Sequence, residues 1–214
     1  KVCNSGINRL SIGLQSFHEK LLKEVLGSPH TYNESYSSIK NSMKVGFKTV
    51  NIDLLYGLPQ QSLEDWIFDV KTTLEYKPQS ITTNWYVIHE GSKTEKLLSD
   101  KKITPNDFST ENLKELEKWT YSYLTKEGYI ETRADNFYLP GHEQTYGKLT
   151  YSLGHESIGF GVGAYSFING YLIEAPKYVN PYKKAIESNY YLPISNFSEK
   201  ANKKTLMERF IMMN

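Results

Sequence analysis

Two polar side chains stand at or near the ends of apolar runs. Gln15 follows Arg9-Leu10-Ser11-Ile12-Gly13-Leu14, and Asp53 sits inside Thr49-Val50-Asn51-Ile52-Asp53-Leu54-Leu55. An amide and a carboxylate placed this way can bind the hydroxyl and amino groups of a small polar cofactor. Equally, each can be a satisfied polar group that fixes the loop behind it. The Tyr86–His89 stretch ends a third such run. Glycines 159, 161 and 163 make Gly-x-Gly-x-Gly. A dinucleotide fingerprint needs Gly-x-Gly-x-x-Gly with an acidic residue about 20 positions on, so that reading fails. Alternating glycines instead suit a strand or turn that another backbone or a ligand approaches closely. Of the five histidines, no two have helical metal-ligand spacing, which argues against a zinc enzyme. His142 and His155 fall on loops, as surface histidines or as haem-iron ligands. The one cysteine, Cys3, excludes a disulfide or a multi-cysteine metal site within this sequence and reads as incidental. Neither a Gly-x-Ser-x-Gly nucleophile elbow nor a phosphate-binding Gly-x4-Gly-Lys loop is present.

The elements that must position these residues alternate. Residues 9–14 read as a buried strand, and residues 19–26 as a helix stopped by Gly27-Ser28-Pro29. Residues 33–45 read as a second helix, capped by Gly46. Residues 49–55 are the next strand, followed by the turn Tyr56-Gly57-Leu58-Pro59. Ser62, with Asp65 three residues on, opens a helix reaching Glu75. Residues 80–87 are a third strand. Strand–helix–strand spacing of this kind implies parallel strands with right-handed crossovers. Three strands cannot close a barrel, but the pattern suits part of one, where ligands sit at the C-terminal strand ends. Beyond Glu90 the pattern changes to a short helix at 97–101, a long one at 110–127 and a hairpin of 129–132 with 137–139. A last helix is expected at 203–213.

A chain of 214 residues suits one domain or one and a half. With 39% hydrophobic and 23% charged residues it reads as a soluble globular protein, expected in the cytoplasm. A net charge of +1 gives no reason to expect nucleic acid or an anionic membrane as partner. No apolar run approaches the roughly 18 residues of a membrane helix, and the first residues do not form a secretory signal.

Several segments match one family in order. Gly6-Ile7-Asn8-Arg9-Leu10-Ser11-Ile12-Gly13-Leu14-Gln15-Ser16-Phe17 is very similar to the GxNRxSxGxQSF segment of the oxygen-independent coproporphyrinogen III oxidase family. This family, within the radical S-adenosylmethionine superfamily, also holds haem chaperones, anaerobic haem-degrading enzymes and some radical methyltransferases. Asn51-Ile52-Asp53-Leu54-Leu55-Tyr56-Gly57-Leu58-Pro59 resembles its N-x-D-L-[IM]-Y-G-L-P strand and turn. Gly159-Phe160-Gly161-Val162-Gly163-Ala164-Tyr165-Ser166-Phe167 resembles its GxGxxAxSF segment, and residues 208–213 resemble the start of its C-terminal domain. The resemblance spans nearly the whole chain.

It implies an α/β fold, the later half of an incomplete parallel (β/α) radical-SAM barrel of TIM-like kind, with an α+β extension. The barrel part would be residues 1–95, the substrate-covering extension 96–202 and the start of a C-terminal domain 203–214. The family's activity rests on a Cys-x3-Cys-x2-Cys loop that binds three irons of a [4Fe–4S] cluster. S-adenosylmethionine chelates the fourth iron and is cleaved to a 5′-deoxyadenosyl radical. That loop is absent from this sequence. The chain is therefore expected to be cut at both ends and inactive alone, with no catalytic residue assigned. The resemblance further implies S-adenosylmethionine contacts from Gln15 and Asp53, with Tyr86 and Val87 beside the cofactor and Tyr165 facing the substrate. The function it implies for the full-length protein is a radical oxidoreductase of haem biosynthesis. Its substrate would be a porphyrin or related tetrapyrrole, and its electron donor a protein such as flavodoxin or ferredoxin. A haem-binding chaperone or carrier and a radical methyltransferase are the alternatives. Three places depart from the pattern. Ser28 stands where the family often has an Arg that helps hold the cofactor's carboxylate, and Gln60 replaces a turn glycine. Gly147-Lys148-Leu149-Thr150-Tyr151-Ser152 keeps only the tyrosine of the chaperones' HNxxYW, which argues against a chaperone using that histidine.

Overall fold

Polar and apolar residues alternate along the first strands, and that alternation gives the sheet two unlike faces. A computed structural model describes residues 5–103, 110–133, 135–149 and 154–188, together with 199, 200, 202, 204, 206 and 207. Cys3, Tyr151 and most of the helix expected at 203–213 lie outside the described residues; Lys204, Leu206 and Met207 of it are helical. The chain divides into two compact units, Lys1–Glu143 and Gln144–Asn214.

In the first unit, β1 (Arg9–Gln15), β2 (Thr49–Tyr56) and β3 (Ser80–Trp85) are parallel with β2 central. Asp53 pairs with Gly13 on one side and Thr82 on the other. The hairpin of β4 (Ile130–Arg133) and β5 (Asn136–Tyr138) forms as expected. It then joins the sheet, β5 running antiparallel to β3 through Ser80↔Tyr138 and Thr82↔Asn136. This gives the order β1-β2-β3-β5-β4 and covers an edge of β3 that would otherwise expose unpaired backbone groups.

One face is apolar. Val50, Ile52, Leu54, Tyr56, Ile81 and Phe137 pack with Ile39 of α1 (Tyr32–Val45), Trp66 and Val70 of α2 (Leu63–Glu75), and Leu116 and Leu124 of the long helix Thr110–Lys126. Each such fully buried side chain contributes roughly 1.5–3 kcal/mol. The helices start where local chemistry directs. Thr31 and Glu34 form a reciprocal capping box for α1, and Ser62 and Asp65 do so for α2, the shorter Asp side chain still reaching the Ser62 N–H at 2.8 Å.

The helix expected over 19–26 is present, α-helical at 19–20 and a π-helical turn over Leu21–Leu26, and left-handed Gly27 closes it as expected. Two boundaries differ from expectation. β3 ends at Trp85 because its last cross-strand bond is Tyr86 N–H to Tyr56 O, after which the chain leaves the sheet. The short helix α3 is Lys93–Ser99, earlier than 97–101, because Ser92 caps it by accepting from Glu95 N–H. The long helix (α4) matches the expected 110–127 closely.

In the second unit, α5 (Thr145–Gly147) is a single turn. β6 (Tyr165–Ile168) and β7 (Tyr171–Glu174) form a hairpin around Asn169-Gly170, both with positive φ, the pair that a tight right-twisted hairpin favours. β8 (Glu199–Lys200) adds to β7, and α6 spans Val179–Glu187.

Candidate functional site

The face of the sheet opposite the helices carries the side chains that β-pairing aligns: Arg9 and Ser11 of β1, Asn51 and Asp53 of β2, Ser80 and Thr82 of β3, and Asn136 of β5. They form one hydrogen-bonded network. Ser11 Oγ donates to Asp53 Oδ2 at 2.9 Å and Asn51 Nδ2 donates to Asp53 Oδ1 at 2.7 Å. Ser80 Oγ donates to Asn51 Oδ1 at 2.6 Å, which fixes the Asn51 amide so that its NH₂ faces Asp53. Burial raises the Asp53 carboxyl above its ordinary range, opposed by hydrogen bonds from Ser11, Thr82 and Asn51 and by the charge of Arg9. Burial likewise lowers Arg9, opposed by Asp53. Arg9 Nη1 is buried and has no hydrogen-bond partner among the described residues.

Gln15 closes β1 with φ +71°, after a bulge that pairs Gly13 with Asp53 and Gln15 with Leu54. Its amide folds back over Gly13, and a Cβ there would stand 3.0 Å from Gln15 Nε2. The missing side chain at position 13 therefore gives the amide its place on the Asp53 side of the sheet. Gln15 Oε1 is buried and unpartnered among the described residues, an acceptor waiting for a donor. An acceptor amide beside a carboxylate fits a ligand with amino and hydroxyl donors, such as S-adenosylmethionine. The exit of β1 is held by His30, whose Nε2 meets Leu14 O at 3.0 Å while its Nδ1 meets Ser28 Oγ at 2.8 Å. Ser28 is thus a backbone-organising partner in this chain.

The remaining expected residues fall elsewhere. Val87 lies beyond the last β2–β3 pair and is 55% exposed, while its neighbour Tyr86 is anchored by donating to Thr94 Oγ1 at 2.7 Å. The turn after β2 has Gln60 at φ +65°, so the backbone keeps the left-handed form with a side chain in place. Tyr165 belongs to the second unit, 60% exposed on β6, hydrogen-bonded to Glu174 opposite it. The glycine segment is a turn of close backbone approach, as expected. A Cβ on Gly159 would meet the Tyr165 carbonyl oxygen at 2.3 Å, and Gly161 and Gly163 have φ +115° and +68°. His142 Nδ1 contacts Thr49 Oγ1 at 3.1 Å, and His155 N–H donates to Leu149 O. Among the described residues, no three His, Cys, Asp or Glu side chains are grouped to hold a metal ion. Nor is any helix among them long and apolar enough to cross a membrane.

A cavity of about 180 Å³ opens on the helix side, lined by Tyr56, Trp66, Thr83, Glu117, Glu131 and Asp135 among others. It is separate from the polar face. Tyr56 OH lies 3.3 Å from Glu117 Oε1 and 3.4 Å from Asp135 Oδ1, and burial pushes the Asp135 carboxyl up to about 6.

Sequence reasoning did not single out Arg9, Ser11, Asn51 and Thr82 as parts of the site. The signal was present: polar residues recur at every second position within runs whose intervening residues are apolar.

Comparison with known proteins places the fold. No family model matches the chain. It is 27% identical to the heme chaperone HemW of Lactococcus lactis over 97% of this chain and 52% of that protein. To the heme chaperone HemW of Escherichia coli it is 31% identical over 83% of this chain and 46% of the relative. To that of Buchnera aphidicola from Acyrthosiphon pisum it is 34% identical, with the same two coverages. The chain thus spans about half the length of the curated relatives it matches. Among solved structures, the radical SAM enzyme coproporphyrinogen III oxidase (HemN) of Escherichia coli superposes with a TM-score of 0.72. That match covers 99% of this chain and 50% of the other, at 21% identity. The α/β architecture with its parallel sheet is therefore that of part of a radical-SAM fold.

Proposed function

We infer, from a chain that belongs to the radical S-adenosylmethionine, coproporphyrinogen III oxidase-like family, that it is part of a haem-binding chaperone or carrier. The observation that carries this reading is the sequence likeness over 83–97% of the chain to proteins named haem chaperones. The likeness to the oxidase, at 21% identity, is one of fold. The carrier reading, second from sequence alone, therefore stands ahead of the oxidoreductase and the methyltransferase.

Within this reading, Gln15 and Asp53 hold S-adenosylmethionine. The unpartnered Gln15 Oε1 accepts from the ligand, and Asp53, oriented by Ser11 and Asn51, accepts from its amino or ribose hydroxyl groups. When bound in a whole protein that carries a [4Fe–4S] cluster, S-adenosylmethionine would supply the radical chemistry of this family. The cluster's three cysteines are not in this chain. Val87 borders the cofactor, Tyr165 faces the tetrapyrrole, and His142 or His155 ligates haem iron. A flavodoxin or ferredoxin serves as electron donor, in the cytoplasm.

Haem titration followed by absorbance tests the reading. A shifted Soret band, reduced when His142→Ala or His155→Ala is introduced, is the expected result. An unshifted Soret band, or conversion of coproporphyrinogen III by the reconstituted whole protein, would overturn the carrier.

A further inference from the structure

A carboxylate with no water contact lies directly behind the candidate cofactor site. Asp69, in the middle of α2, is 0% exposed in a layer otherwise filled by Trp66, Val70 and Phe17. Its Oδ2 accepts from Ser16 Oγ and its Oδ1 from Phe17 N–H, each at 2.7 Å. Ser16 Oγ also accepts from His18 N–H at 3.1 Å. The His18 ring lies between two of the carboxylates of α2, 3.5 Å from Asp65 and 3.8 Å from Asp69. Helix α2 thereby grips residues 16–18, which immediately follow Gln15.

Burying a carboxylate is costly, and packing alone would be served better by an apolar residue. The group gripped explains the cost. Gln15 has φ +71°, a conformation that a residue with a Cβ adopts only under strain. Such a conformation persists only where its surroundings over-determine it. Ser16 N–H also donates to Leu14 O at 3.0 Å, which closes the tight turn across Gln15. Phe17 is 1% exposed, its ring 4.9 Å from that of Tyr36. Turn, carboxylate grip and buried ring together fix the backbone from which the Gln15 amide lies over Gly13 on the Asp53 side.

We propose that Asp69 is a positioning residue of the cofactor site: acting through Ser16 and Phe17, it holds Gln15 in the turn that presents its amide to S-adenosylmethionine. This rests on the reading that Gln15 and Asp53 bind that cofactor. The test measures S-adenosylmethionine affinity by calorimetry in the whole native protein, cluster reconstituted anaerobically, for Gln15→Ala, Asp69→Asn and the double variant. Asp69→Asn is expected to weaken binding about tenfold, as Gln15→Ala does. The double variant should be no more than about twofold weaker than the worse single one, because both changes remove the same contact. Wild-type affinity in Gln15→Ala would overturn the cofactor reading itself, and the positioning role with it. Weakened binding in Gln15→Ala with wild-type affinity in Asp69→Asn, or independent effects that multiply, would overturn the positioning role alone. Should Asp69→Asn fail to fold, Ser16→Ala removes one arm of the grip. Non-additivity with Gln15→Ala then supports the role, and wild-type affinity in Ser16→Ala overturns it.

Discussion

Replacing Asp135 by Asn should stabilise the first unit, and increasingly so as pH rises. Asp135 sits in the β4–β5 turn with φ +79°, at the wall of the cavity on the helix side. Burial pushes its carboxyl from 3.8 to about 6; Tyr56 opposes the rise, and Glu117 and Glu131 add to it. Its proton is held more tightly in the folded chain than in the unfolded one. Between pH 4 and 6 the native state therefore binds more protons, and stability falls as pH rises; above pH 6 the full penalty is present. That penalty is at most about 3 kcal/mol. Asp135 keeps partial contact with water, and screening reduces the effect to about 1 kcal/mol. Asn carries no charge, keeps an acceptor for Tyr56 and tolerates positive φ. Urea unfolding from pH 4 to 8 measures the difference. Trp66, Trp85 and Trp119 all lie in the first unit and report on it by fluorescence. The variant should match the wild type near pH 4 and exceed it by about 1 kcal/mol at pH 7.5. A difference that stays constant with pH, or a less stable variant at pH 7.5, would refute the reasoning.

The turn after β2 supplies two further tests. Gln60→Gly should raise stability by about 0.5 kcal/mol in urea unfolding, since it relieves left-handed strain at φ +65° and loses part of that gain to chain entropy. Gly57→Ala should cost about 2–4 kcal/mol and shift tryptophan emission. The position has φ +77°, and a Cβ would fall 2.2 Å from the Trp85 ring.

Short-range chemistry was legible in the sequence. Ser62 and Asp65 announce a helix start because both halves of the capping box lie three residues apart, and the structure makes both bonds. Apolar runs separated by helical segments announced parallel strands, and β1, β2 and β3 pair so. Ser92 shows the limit: it caps α3 through one local bond, but without a strong apolar period behind it the start was placed too late.

For the candidate site, the residue types at Gln15 and Asp53 and the family resemblance came from the sequence alone, and with them the α/β class. Tertiary structure decided what those residues meet. The Ser11–Asp53, Ser80–Asn51 and Ser16–Asp69 bonds join residues 42, 29 and 53 positions apart. No local rule reaches that far; such pairs exist only once strand register and helix packing are set together by burial of the apolar face. The bulge that turns the Gln15 amide over Gly13 arises in the same way, from register with β2 and the grip of α2. The hairpin was visible as a hairpin, but its place against β3 followed from which sheet edge remained unpaired.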